Sequence, residues 1–170
     1  MASGADRRPP FWGLVAIVVV LDRITKILAE RALGAGESIS VVGETAQLRL
    51  VHNPGAAFGL NLGDYSRWIF MVVAMVAIVF LFRMWRETAV ADRLRLYALG
   101  FVAGGAAGNL IDRFISPRGV VDFIDVGVAG LPRWPTFNVA DIAVSCGAVA
   151  LALSLWREDA RRAAAVVPPT

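Results

Sequence analysis

The sequence predicts an all-α membrane protein: a four-transmembrane-helix bundle with a small β element on its outer face. Three observations point there. Of the 170 residues 57% are hydrophobic and the mean hydropathy is +0.62, too apolar for an ordinary soluble domain. The apolar residues gather in four blocks, 11–28, 65–82, 94–111 and 137–156. Arginines concentrate in alternate connections between those blocks, the bias expected when cytoplasmic loops retain positive charge. At this length one integral membrane domain covering residues 1–170 is the natural reading.

Each block is near the roughly 17–25 residues that cross about 30 Å of hydrocarbon at about 1.5 Å per residue. Backbone polar groups have no partner in lipid, so the blocks are expected to be helices. The first is interrupted late by Asp22, Arg23 and Lys26. Its basic start (Arg7, Arg8) and a loose small-x-small site at Ala32-Leu33-Gly34 invite comparison with a cleavable signal peptide. The three charges between the apolar core and that site argue instead for a retained span. Arg7 and Arg8, the second connection (Arg83, Arg86, Arg93, Arg95) and the C-terminal stretch (Arg157, Arg161, Arg162) hold most of the positive charge for their length. Both termini and the second connection are therefore expected in the cytoplasm, with the first and third connections outside.

The first outward connection is structured. Residues 38–51 mix β-branched residues with late apolar/polar alternation around a Gly43-Glu44 turn, which predicts a hairpin on the membrane surface. Asn53-Pro54-Gly55 then turns the chain, and the apolar 56–62 is expected to form a short interfacial helix, so that 38–64 makes an outer β and lid segment. The third connection is rich in glycine and proline, and 163–170 is expected to lack fixed structure. In the third block Gly100, Gly104 and Gly108 recur every four residues, and in the fourth Ala140, Val144 and Ala148 form a small-residue face. Such faces let helices pack closely in lipid, and they predict contact between spans three and four.

Several function classes fall away. The formal charge of +3 comes from arginines that flank apolar blocks rather than forming a basic stripe, so no nucleic-acid partner is expected. One cysteine, Cys146, permits no intrachain disulfide, and one histidine, His52, permits no His/Cys metal cage. Cys146 lies in an apolar block, where it is expected to be a small buried hydrophobe. Ser145-Cys146-Gly147 lacks the glycine of a nucleophile elbow, and nothing resembles H-E-x-x-H.

Carboxylates and amides remain, and they collect at one depth. Asp22 and Lys26 share a face of span one, either as a brace or in a direct role. Asn109, Asp112 and Arg113 close span three, Asn138 and Asp141 open span four, and Asp122 and Asp125 lie between. Polar groups within a membrane are costly, which marks this outer layer as the site. Two aspartates sharing one proton can hydrolyse an amide, one acting as base and the other as acid. Taken separately, Asp122 and Asp141 could equally form surface ion pairs with Arg113 or Arg118.

Five blocks in order resemble bacterial lipoprotein signal peptidase, the signal peptidase II family of aspartyl peptidases. They are Asp22 with Lys26, Asn53-Pro54-Gly55-Ala56-Ala57-Phe58, Gly104 through Arg113, Val120-Val121-Asp122-Phe123, and Phe137-Asn138-Val139-Ala140-Asp141. The resemblance implies a multi-pass enzyme of the bacterial inner membrane that cleaves prolipoproteins before a lipid-modified cysteine. It implies a catalytic pair, Asp122 and Asp141, with Asn53, Gly55, Asn109, Arg113 and Asn138 around the substrate. Asp22, Lys26 and Asp112 would brace the site, the outer strands would form a platform, and 56–62 a lid. Pro54 departs from the expected pattern and bears on lid mobility, while Asp125 receives no role. No cofactor is expected, and the partners implied are prolipoproteins and membrane lipids around a monomer. Two other readings of the polar layer are a small ion-coupled transporter, which would need polar residues through the full depth, and a non-enzymatic scaffold subunit. The latter leaves Asn109, Asn138 and Asp141 without a purpose.

Overall fold

The computed structural model describes residues 9–34, 37–54 and 63–166. Four α-helices, α1 (Phe11–Ala32), α2 (Ser66–Glu87), α3 (Arg93–Ile115) and α4 (Val139–Val166), accompany three strands, β1 (Ser38–Val42), β2 (Ala46–Asn53) and β3 (Val120–Val126). Three of the helices, α2, α3 and α4, are long and apolar enough to cross a membrane. Helix α1 carries its charges inside the apolar stretch, yet Asp22 and Lys26 are only 1% and 0% exposed while Ile17, Val20, Leu21, Ile24 and Leu28 are open. It is polar inward and apolar outward, the reverse of a helix on a soluble domain.

Helix α3 is the axis of the bundle and packs against the other three. Glycine makes that possible, though with a different allocation from the one expected. A Cβ on Gly100 or Gly104 would meet Leu14 or Val18 of α1 at 2.7 Å, so this part of the glycine stripe seats α1. The α3–α4 contact relies on Gly105, where a Cβ would lie 2.3 Å from the Ala140 carbonyl, and on Gly147, which admits Val102. Ala140 and Val144 do face α3, but Ala148 is exposed, because one helical turn beyond Ala143 and Val144 the inward position falls to Gly147. Away from the polar layer the core is apolar and aromatic: Phe11, Phe82 and Trp85 pack with centroids 5.3–6.3 Å apart against Leu99 and Ala103.

The hairpin forms as predicted, with Gly43 at φ 50° in the turn, where an L side chain would be strained. The third strand was not foreseen. The stretch Val120-Val121-Asp122-Phe123-Ile124-Asp125-Val126 buries both aspartates, so an apolar-in, polar-out rule does not find it. β3 pairs antiparallel to β2, setting Val51 opposite Asp122 and Asn53 opposite Val120. Phe123, Leu48 and Leu50 pack on Ala29 and Leu33, which anchors the sheet to the end of α1. Helix α4 runs on to Val166, past the expected end at 156 and into the stretch expected to be unstructured. The Arg161-Arg162-Ala163-Ala164-Ala165 run has high helix propensity and carries the last turns beyond the apolar segment. The expected lid, 56–62, lies outside the described residues, as does Gly55.

Candidate active site

Helix α4 begins at Asn138 with a reciprocal cap. Asn138 Oδ1 accepts the N–H of Asp141 at 3.0 Å, and Asp141 Oδ2 accepts the N–H of Asn138 at 3.1 Å. This is a capping box built from an amide and a carboxylate, and it satisfies two N–H groups that a helix start leaves free. Asp141 Oδ1 is thereby left to face α3, where Asn109 Nδ2 donates to it at 2.8 Å.

Asn138 is the hub. Fully buried, it donates through Nδ2 to Asp122 Oδ1 at 2.6 Å, and the same nitrogen lies 3.1 Å from Asn109 Oδ1 and 3.2 Å from the Val121 carbonyl. One side chain thus ties Asp122 to Asp141. On the other side, Asn53 Nδ2 donates to Asp122 Oδ2 at 3.3 Å. Burial first, and then the charge of Asp141, push the Asp122 carboxyl up to about 7; the Asn53 and Asn138 amides pull in the opposite direction.

Beneath this pair lies a buried ionic cluster. Lys26 Nζ sits 2.8 Å from Asp22 Oδ2, 2.7 Å from Asp112 Oδ2 and 3.1 Å from Asn109 Oδ1. Both carboxylates also hold backbone: Asp22 Oδ1 accepts the N–H of Ala140 at 2.9 Å, and Asp112 Oδ2 accepts that of Val121 at 3.2 Å. The cluster therefore joins α1, α3, β3 and the first turn of α4. Close approach is again required, since a Cβ on Gly108 would stand 2.7 Å from Asp22 Oδ2.

A cavity of about 460 Å³ opens over the pair, lined by Asn53, Asn109, Arg113, Asp122 and Asp141 on its polar side. Arg113 donates to the Asn109 carbonyl at 3.0 Å and stacks its guanidinium 5.5 Å from the Phe70 ring centroid. Its Nε is buried and has no partner among the described residues. Asn138 lies behind the wall rather than on it. Trp134, Pro135, Ile142 and Cys146 also line the cavity. Cys146 is exposed, not the buried hydrophobe expected, because Gly147 takes the position against α3.

Two supporting arginines gave no signal in the sequence. Arg67 Nε of α2 donates to the carbonyl of Arg113 at 2.6 Å, and its Nη2 to that of Phe114 at 3.3 Å, capping the last turn of α3 from a neighbouring helix. Arg133 pairs with Asp125 at 2.7 Å and donates to the Glu44 carbonyl at 2.6 Å. Asp125 thus holds the loop after β3 against the β1–β2 turn, while Ile124 bridges Phe137 just before the hub. Apolar-block and motif reading could not see partners separated by 46 or 89 residues.

Gly119 supplies a check on this geometry. It has φ 98°, and a Cβ there would lie 2.0 Å from the Asn53 carbonyl oxygen. Gly119→Ala is expected to cost at least about 1–3 kcal/mol from backbone strain alone. It should also displace Asn53 from Asp122, so activity should fall at temperatures where the protein is still folded. Detergent-solubilised thermal unfolding alongside cleavage rate would test this, and wild-type values for both would refute the close approach.

Comparison with known proteins agrees with these motifs. Residues 14–157 match the sequence family described as signal peptidase (SPase) II. Similar curated proteins include a lipoprotein signal peptidase from Treponema denticola, 40% identical over 161 residues and covering 91% of this chain and 92% of its own. Another, from Syntrophomonas wolfei, is 41% identical over 152 residues and covers 89% of this chain and 95% of its own. A solved structure described as a bacterial membrane enzyme superposes with a TM-score of 0.77 at 26% identity, covering 89% of this chain and 90% of that one.

Proposed function

Because the chain belongs to the signal peptidase II family, membrane aspartic peptidases that remove signal peptides from prolipoproteins, we propose that Asp122 and Asp141 are its catalytic pair. The observation that carries the assignment is the Asn138 bridge, which holds the two carboxylates at one cavity wall. Asp122 holds the shared proton. Its Oδ2 is the oxygen for it, being the one with the longer contact, 3.3 Å to Asn53. Asp141 accepts two N–H groups at the positive end of α4 and carries the negative charge. It takes a proton from water as that water attacks the scissile carbonyl, while Asp122 gives its proton to the carbonyl oxygen. Collapse of the tetrahedral intermediate returns a proton to the leaving amine of the lipid-modified cysteine.

Asn53, Asn109 and Arg113 bind the peptide, and Gly55 belongs to the same set by the family pattern. Arg113 brings positive charge to the place where oxyanion charge develops. Asp22, Lys26 and Asp112 brace the pair. The chain is a single integral domain and a monomer, with α1 as a fourth span on the strength of its apolar outer face. The arginine distribution supports cytoplasmic termini and a sheet on the outer side. A cysteine replacing Ser38 in a Cys146→Ala background should then be labelled by impermeant thiol reagent in intact cells; labelling only after the inner side is opened would reverse the orientation.

The test of the chemistry is cleavage rate against pH on a saturating lipidated substrate, with and without chelator. A carboxyl raised to about 7 is protonated below that pH and ionised above it, so activity should fall as pH rises through about 7. It should fall again at low pH, when the pair as a whole has taken up its second proton, giving a bell that belongs to the coupled pair. The oxygens of both aspartates accept N–H groups, which leaves them poorly disposed to a cation, so chelation should leave the curve unchanged. Loss on chelation with rescue by a divalent ion would overturn the aspartyl mechanism. The transporter reading accounts less well for the apolar, aromatic core around Phe11, Phe82 and Trp85, which offers an ion no continuation of the polar layer.

A further inference from the structure

The end of the bundle opposite the aspartates holds a second cavity, of about 550 Å³, between the α2–α3 connection and the last turns of α4. Its floor is a satisfied network. Asp92 caps α3 through the Arg95 N–H at 3.0 Å and accepts from Ser154 Oγ at 2.8 Å, while the Arg95 guanidinium pairs with Asp92 at 3.2 Å and with Glu158. The rim differs. Arg93, Arg157 and Arg161 line the cavity and are exposed, and none of them has an ion-pair partner among the described residues. Glu87 is the lining carboxylate outside the network, so the rim carries an excess of positive charge. Beside it the outer face of α4 is apolar, with Leu153 43% and Trp156 69% exposed.

From this arrangement we infer that the cavity binds the headgroup of an anionic phospholipid. Guanidinium groups match phosphate oxygens in fork geometry, and a basic pocket between membrane helices is a general solution for anionic headgroups. The volume exceeds what a phosphate ion fills, and the adjoining Leu153 and Trp156 offer acyl chains a path along α4. The site would tie α4 to the α2–α3 connection independently of the aspartate chemistry.

The test titrates the purified full-length protein in neutral detergent with phosphatidylglycerol and with phosphatidylcholine, reading bound lipid by native mass spectrometry. Wild type should bind the anionic lipid at least about tenfold more tightly. The triple variant Arg93→Gln, Arg157→Gln, Arg161→Gln should lose that preference yet cleave prolipoprotein in neutral detergent at the wild-type rate, which also shows that it is folded. A charge-matched control, Arg31→Gln, Arg49→Gln, Arg83→Gln, should keep the preference. If the triple variant does not fold, Arg161→Gln alone should still weaken phosphatidylglycerol binding about threefold or more. Equal loss in pocket and control variants would mean diffuse charge attraction and overturn the site. Displacement of phosphatidylglycerol by inorganic phosphate at millimolar concentration would overturn the lipid assignment in favour of a soluble anion.

Discussion

Asp122→Asn and Asp141→Asn are each expected to abolish cleavage of a lipidated prolipoprotein while the protein remains folded in detergent. An amide can neither take a proton from water nor give one to a carbonyl, and in the proposed mechanism the two aspartates act through one shared proton. Removing a positioned acid or base costs roughly 10²–10⁴ in rate, and losses on the order of 10³-fold are expected for each. Because the pair works as a unit, the double variant should be little worse than either single one. Asp141 also caps α4, so its variant needs a stability measurement beside the rate. Should either variant retain more than about a tenth of wild-type activity, that residue is not part of the chemistry.

The second large effect is on stability. Lys26→Met keeps the length of the side chain and removes its charge from a site with no solvent exposure. Asp22 then loses its ion-pair partner at 2.8 Å, and Asp112, 2.7 Å from the same ammonium, keeps Arg23 at 3.4 Å. Breaking a buried ion pair by deleting one member costs about 3–5 kcal/mol, because the remaining charge is stranded. Activity should fall as well, since Asn109, which Lys26 holds at 3.1 Å, aims Asp141. Adding Asp22→Asn to Lys26→Met should restore part of the stability by removing the stranded carboxylate, since Asp112 keeps Arg23 at 3.4 Å. Equilibrium unfolding in mixed micelles would decide it: a single variant within about 1 kcal/mol of wild type would mean that the cluster is not ionic as described.

Much of this was legible in the sequence, for identifiable reasons. Helices in lipid must be apolar and of fixed length, so α2, α3 and α4 announce themselves, although α4 outruns its apolar segment. The polar residues of the site stood out because an amide or carboxylate in such surroundings is expensive. The residues that position them were hidden. β3 buries Asp122 and Asp125 and so contradicts the pattern by which strands are recognised. Arg67 and Arg133 act on carbonyls of distant segments, and a carbonyl leaves no trace in the sequence. Cys146 was misjudged because a hydrophobic block says nothing about which side of a helix meets a neighbour.

The cap at the start of α4 has a consequence for how the enzyme comes into being. Asn138 and Asp141 hold the first turn of that helix with the same atoms that organise the site. Helix α4 is the last of the four in chain order. On the proposed assignment, a nascent chain that has made three helices and carries Asp122 therefore lacks both the base and the hub. Such a chain would be inert toward neighbouring membrane proteins until α4 winds and docks. Competence would then arrive with the docking of α4, and an unfinished copy would be harmless by its own incompleteness.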